Sequence, residues 1–325
     1  MLINYTLAPH KYFRSDSPAD FRVAHSVTGM FTTYLKLKNT GWEECTLSTY
    51  AQIYTAFGGS VCTHPRVLAY LAQRENVRIQ FYMKKRHGQP IAAVFSLNGS
   101  LEYKKSNLPF VFDDLILPIK AGEKVILPFK TKRLSPHSQG IILNSIRHNL
   151  FKKKIAHIKS DFSAKTVKKR NGEVRRFIKA GGTVEDVTSF SPDELSGIYQ
   201  QLFDLRWQNS LKCTDTGILT ETFNAFRDMI FGKILFINDS PCAFDLNYKV
   251  ECPSWHYFED FNGGIDPRFK SMGVGSVLLW ENIQHAKALA ASSDKTFIFS
   301  LGASNPAWDY KKQWCDIKPS GRTLF

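Results

Sequence analysis

Residues 255–301 read as strand, glycine-bearing loop, helix and strand, and two strands joined by a crossover helix admit few architectures. Trp255, Tyr257, Phe258 and Phe261 mark the first strand, which Gly263, Gly264 and Pro267 end. A polar loop leads to Gly273-Val274-Gly275-Ser276. Val277, Leu278, Trp280, Ile283, Ala286 and Leu289 then recur with the spacing of one helix face. Thr296–Leu301 supplies the second strand. The loop falls where the first N–H groups of a helix lack intrahelical acceptors, and glycines there let an anion approach the backbone. Lys270, Gly273, Val274, Gly275 and Ser276 are therefore the expected site for a phosphate, pyrophosphate or carboxylate. A plain tight turn uses glycine in the same way, so the pattern alone leaves both readings open.

Lys270-Ser271-Met272-Gly273-Val274-Gly275 resembles the acyl-CoA loop of the GNAT N-acyltransferases. That loop begins with Gln or Arg, followed by two residues, Gly, any residue, and Gly or Ala. Lys270 departs from it while remaining a cation. Gly302, Tyr310-Lys311 and Trp314 resemble the closing pattern of the FemAB-like branch of the same superfamily, whose paired GNAT-like domains transfer acyl or aminoacyl groups to amines. A narrower resemblance, to the Mig-fourteen family, is carried by YTAFGGSVCTHP (54–65), VILPF (125–129), KTVKKRN (165–171), FGKILFINDSPCA (231–243) and GRTL (321–324). It implies virulence, resistance to cationic antimicrobial peptides and association with the inner membrane. Members of that family have also been described as transcription regulators.

These resemblances imply an α+β fold with a mixed α/β sheet, built as tandem GNAT-like domains. Residues 1–159 are the divergent N-terminal domain. Residues 160–325 are the C-terminal domain, with a basic opening helix and the glycine loop. They also imply acyl-CoA or aminoacyl-tRNA as donor, with no metal.

The 325 residues suffice for two domains and a large core. No apolar run approaches the ~20 residues of a membrane span. The N-terminal segment lacks the pattern of a secretory signal, and neither end carries a lipidation signal. The expected location is cytoplasmic, with peripheral attachment to the inner membrane. Cys45, Cys62, Cys213, Cys242, Cys252 and Cys315 show no CxxC pair and no Cys/His zinc spacing, and read as reduced thiols. The net charge of +14 favours a polyanionic partner.

Taken in order, residues 1–40 are expected to be irregular or strand-rich. Thr46–Phe57 and Val67–Ala72 read as helices, and 78–97 as a hairpin around a basic turn. Leu115–Leu117 and Val125–Phe129 read as short strands, and Leu134–Leu150 as a helix. The order of two helices and a hairpin returns in the second half. Ser191 to Glu194 forms a capping box for one helix, 221–231 is the second, and 233–237 pairs with 243–250. Between Lys152 and Lys179 there are eleven Lys/Arg against two acids. Lys165, Lys168, Lys169, Arg175, Arg176 and Lys179 share one helical face, opposed by Val167, Val174, Phe177 and Ile178. With Arg170 they form the expected surface for an anionic membrane or tRNA, unless they are simply a solvated face. Asn171-Gly172 weakens this helix by about 1 kcal/mol for the glycine relative to Ala.

Transfer to an amine needs a base and an acid. Glu259 and Asp260, on the strand before the loop, are the base candidates. Tyr310 is the acid candidate by resemblance to acyltransferases, and its alternative is packing against Trp308 and Trp314. No GxSxG elbow supports a serine nucleophile. The expected function is a GNAT/FemAB-like acyl- or aminoacyl-transferase at the inner-membrane face, with a small-molecule or lipid-linked acceptor. The competing class is a non-catalytic membrane-surface or nucleic-acid-binding regulator on a degenerate fold.

Overall fold

A computed structural model describes residues 27–103, 107–208, 210–305 and 309–324. Helix α1 (Val27–Thr40) leads into strand β1 (Trp42–Cys45). Helix α2 (Leu47–Phe57) is capped by the Thr46 hydroxyl and stopped by Gly58. Helix α3 (Pro65–Arg74) starts on a proline, whose missing N–H has no intrahelical use at that position. Strands β2 (Ile79–Arg86) and β3 (Gln89–Leu97) pair antiparallel across His87-Gly88, both at positive φ, as a tight hairpin turn requires. With β1 on the other edge of β2 they make a three-stranded sheet.

Among the described residues of 98–150 there are only isolated bridges, a short 3-10 turn and β4 (Ser145–Ile146). The helix expected at 134–150 is not there, and 115–117 and 125–129 form single bridges rather than strands. Of the apolar positions that give 134–150 its helical spacing, Ile142 is buried and bridges Val125, whereas Ile146 is 41% and Leu150 83% exposed, so they share no buried face. Residues 27–40 are helical, against the expectation for that stretch, and residues 1–26 of it lie outside the described residues.

The second half begins with β5 (Lys154–Ile158), α4 (Ala164–Lys179) and β6 (Gly182–Asp186). Helix α5 (Pro192–Trp207) has its Ser191–Glu194 capping box in place, and α6 spans Thr216–Ala225. The helix expected at 221–231 thus ends early, because Ile230–Phe231 is drawn into the sheet as β7. Strands β8 (Lys233–Ile237) and β9 (Ser240–Glu251) join through Asn238-Asp239, both left-handed. Then come β10 (Trp255–Ile265), α7 (Val274–Ser292), β11 (Thr296–Ser304), α8 (Tyr310–Trp314), β12 (Cys315–Pro319) and β13 (Arg322–Thr323).

The large sheet runs β12-β5-β11-β10-β9-β8-β6, with β7 added on β9. β10 lies at its middle, parallel to β11 and antiparallel to β9. β5 enters between β11 and β12, so this sheet takes Lys154–Ile158 from just before the boundary expected at 159/160. Helix α7 covers one face through Val277, Leu278 and Ile283, all fully buried. The opposite face shares one hydrophobic cluster with the N-terminal half: Tyr50, Val61 and Phe95 belong to it together with Tyr199, Phe244 and Tyr257. Gly59 N–H meets Cys252 Sγ at 3.4 Å across this junction. All six cysteines are free.

Gly264 shows how tightly α5 lies on β10. A Cβ at this position would land on the backbone of Leu202 and Phe203, which cannot swing aside. Gly264→Ala should therefore destabilise the fold by about 2 kcal/mol or more, as overpacking against backbone does. Gly273→Ala, with nothing within 4 Å of the added carbon, should cost only about 1 kcal/mol for its left-handed φ. Urea unfolding of the two variants checks the contrast.

Candidate active site

The β10–β11 ladder runs in register from Trp255–Thr296 to Glu259–Ser300 and stops there. Beyond it each strand has a register irregularity against its other neighbour, β10 between Asp260 and Asn262, β11 between Ser300 and Ala303. A bulge bends its strand and leaves a residue out of the ladder. The two central strands therefore diverge into a wedge, with Phe261 on one side and Leu301-Gly302 on the other.

Lys311 sits in that wedge. It is only 5% exposed, and its ammonium donates to the carbonyls of Leu301 (2.5 Å) and Ala303 (2.8 Å). Burial lowers its pKa, and the negative charge of Asp260 works against that fall. Asp245 and Asp260 come from paired segments of β9 and β10, and both keep part of their surface open. Burial, then the charge of Asp260, pushes the Asp245 carboxyl up to about 7, against the pull of Arg206. Burial raises Asp260 as well, while Lys311 and Arg206 hold it down. Arg206 is anchored by a 2.9 Å bond to the Gly263 carbonyl. The wedge thus holds a cation beside two carboxyls raised by burial, and that of Asp245 reaches the range in which a general base is effective.

Glu259 projects to the opposite face. It is 2% exposed, Oε1 has no partner among the described residues, and burial together with Asp114, Asp113 and Asp260 raises its pKa well above the usual range. Close to it, Asp114 accepts from Tyr257 Oη at 3.0 Å and lies 2.7 Å from His157 Nε2. The N-terminal half thereby closes this side of the wedge. Of the two base candidates from the sequence, Asp260 is the one beside Lys311. Tyr310 is half-buried against the Trp280 and Trp314 cluster, and it is the next residue, Lys311, that reaches the wedge. Sequence reasoning missed Lys311, Asp245 and Arg206. The lysine stood in the YKxxW pattern, whereas nothing in sequence spacing links Asp245 to Asp260.

At the glycine loop, residues 267–272 form a 3-10 turn and Gly273 caps α7 at φ +70°. The Gly273 carbonyl takes the N–H groups of both Ser276 and Val277. Those of Val274 and Gly275 have no acceptor among the described residues. Val274 and Ser276 are buried, Gly275 partly so, and Lys270 is exposed. The arrangement offers an anion backbone donors at a helix N-terminus.

Helix α4 is unbroken through Asn171-Gly172, because Asn171 Oδ1 accepts from Trp280 Nε1 at 2.9 Å and fixes it to α7. Lys165, Lys168, Lys169, Arg175, Arg176 and Lys179 are all exposed. Arg170 is a correction. It points inward at 4% exposure, its guanidinium 4.1 Å from the Trp314 ring and 2.8 Å from Glu173. Position 170 lies opposite the basic face on the helical wheel, and a guanidinium over an indole is well accommodated there. Ile178, expected to face inward, is 48% exposed. Phe177 packs with Val274, Val277 and Leu278, so the end of α4 carrying Arg175, Arg176 and Lys179 lies beside the N-terminus of α7.

The Mig-14 family model matches residues 64–323. No curated protein sequence matches the chain. Among solved structures, FemX is similar at 9% identity and a TM-score of 0.56, over 86% of this chain and 96% of that one. A conserved protein of unknown function from Bacteroides thetaiotaomicron is similar at 10% identity and a TM-score of 0.50, over 88% and 100%. A C-terminal domain assigned to a lysylphosphatidylglycerol synthetase from Agrobacterium fabrum gives 15% identity and a TM-score of 0.42, over 59% of this chain and 66% of that one. At these identities the likeness to FemX and to the Bacteroides protein shows the fold alone, a mixed α/β structure of tandem GNAT-like units.

Asp245 gives a pH test of the wedge. Its folded pKa of about 7 lies above the ordinary 3.8. Its contribution to stability is thus full below the unfolded value and is lost as pH rises to about 7. Asp245→Asn keeps the shape and cannot ionise. It should match the parent near pH ~4 and exceed it near pH ~8 by roughly 1–2 kcal/mol after solvent screening. Urea titrations at both pH values measure the difference.

Proposed function

This chain belongs to the Mig-14 family, and from the wedge we propose that it transfers an aminoacyl or acyl group from a phosphate-bearing donor to an amine. The observation that carries the reading is the buried Lys311 ammonium where β10 and β11 diverge, next to the partly open Asp245–Asp260 pair. In the reaction the amine nitrogen bonds to the donor's carbonyl carbon, and the carbon–oxygen or carbon–sulfur bond to the carrier breaks. The ionised carboxyl pair takes the amine proton. The positive charge of Lys311 favours the negative charge that develops on the carbonyl oxygen in a site poor in water. The departing carrier oxygen or sulfur is protonated in turn, with the carboxyl pair as the proton source.

Donor phosphate would be held by the N–H groups of Val274 and Gly275 with Lys270 nearby. Arg175, Arg176 and Lys179 beside this helix end extend the positive surface along α4. That length of charge suits aminoacyl-tRNA better than acyl-CoA, whose pyrophosphate needs only the loop. The family's association with resistance to cationic peptides fits this chemistry, because adding an amine-bearing group to an anionic surface component lowers its negative charge. A membrane-apposed location fits the same role.

Calorimetric titration with acetyl-CoA and with aminoacyl-tRNA tests the donor. Gly275→Asp puts a carboxylate at the helix start and should weaken donor binding at least tenfold while leaving the melting temperature nearly unchanged. Release of the amino acid from aminoacyl-tRNA should rise as pH passes about 7, and Asp260→Asn should abolish that rise. A parent protein that binds neither donor, yet retains duplex DNA on its basic face, would replace the transferase with the non-catalytic binding reading.

A further inference from the structure

The wedge opens toward one end of the large sheet, and a second basic surface lies at that same end. Lys154, the first residue of β5, pairs with Ser304 at the close of β11 and with Pro319 at the close of β12. The chain just before Lys154 and just after Pro319 forms the small β4–β13 sheet, in which Ile146 is in register with Arg322. Leu324 N–H continues that pairing to the Asn144 carbonyl at 3.0 Å.

Residues 146–154 and 318–324 contain Arg147, Lys152, Lys153, Lys154, Lys318 and Arg322 and no acid. Apolar side chains stand out among these cations: Ile146 is 41% exposed, Leu324 59% and Leu150 83%. Arg322 lies over the Phe151 ring at 4.7 Å, which joins the two segments into one patch. Scattered exposed leucines are unremarkable on a protein surface, but here they are grouped on two segments that carry cations and no acid. Aliphatic tips in a ring of Lys and Arg fit a lipid surface, where the tips enter the acyl boundary and the cations meet anionic headgroups. No described helix is long and apolar enough to cross a membrane.

We infer that the patch formed by Ile146, Leu150, Leu324 and the surrounding cations docks on an anionic lipid bilayer and turns the mouth of the wedge toward it. The inference rests on the transferase reading for its purpose: it places the acceptor in the lipid, as an amphiphile. This surface is separate from the α4 face, which stays free for the donor. Its mode is also different, since it combines insertion with charge.

Co-sedimentation of the full chain with vesicles tests it, comparing phosphatidylcholine alone with phosphatidylcholine containing about a third phosphatidylglycerol. The parent should bind the anionic vesicles and keep part of that binding in about 0.5 M salt, where charge attraction is largely screened. Leu150→Glu with Leu324→Glu should lose tenfold or more in apparent affinity. Leu150→Glu alone, at so exposed a position, should show the larger part of the loss with an unaltered melting curve. Charge reversal at Lys168, Lys169, Arg175 and Arg176 should weaken binding less than the leucine pair does. Vesicle binding by the Leu150→Glu variant equal to the parent's would overturn the proposal. So would a parent that ignores anionic vesicles, or one that forms a dimer dissolved by the same substitutions, since a second copy would then cover the patch. Vesicle binding is read without turnover, so a chain that docks but transfers nothing would keep this inference and remove the transferase.

Discussion

The site depends on where one hydrogen-bonded ladder stops. β10 and β11 are parallel partners for five rungs, and the rung at Glu259–Ser300 is the last. Each strand then follows its outer neighbour, and the gap between them would leave β11 carbonyls without donors inside the protein. An unpaired buried carbonyl is costly, and Lys311 meets that cost at Leu301 and Ala303. The buried ammonium needs compensation of its own, which Asp260 supplies by charge. Burial, and after it the charge of Asp260, raises the neighbouring Asp245 into the neutral range. One interrupted ladder thus accounts for a cation and a titrating carboxyl pair in a largely apolar region.

Much of the second half was legible because its signals are local. The capping box at Ser191, the hairpin of 233–237 with 243–250 and the one-faced stripe of α7 each depend on neighbours a few residues apart. The strand–loop–helix–strand order of 255–301 therefore emerges in the structure as read, with β10 at the middle of the sheet. The basic face of α4 was readable for the same reason. Arg170 shows the limit: charge composition assigns it to the surface, but its angular position turns it onto Trp314.

The segment 98–150 was misread because its order comes from distant partners. Val125 bridges Ile142, Leu134 bridges Gly321, and Arg147 donates to the carbonyls of Leu134 and Pro319. Apolar residues serving several separate contacts produce a spacing that imitates a helix face. The catalytic candidates divide along the same line. Asp260 stands on the strand that the pattern picked out, whereas Asp245 and Arg206 reach it only through the register of β9 and the end of α5.

The place of β5 bears on how the molecule is made. Its partners β11 and β12 lie at the far end of the chain, and all of α4 through α7 separates them from it. A ribosome releases Lys154–Ile158 long before either partner exists. Pairing across so much sequence closes a large loop, and contacts of that kind slow folding. During synthesis this strand must wait with its edges uncovered, a state open to mispairing or to capture by a chaperone. Completion of the last strands is then the event that seats β5 and, with it, brings His157 to Asp114 at the junction of the two halves.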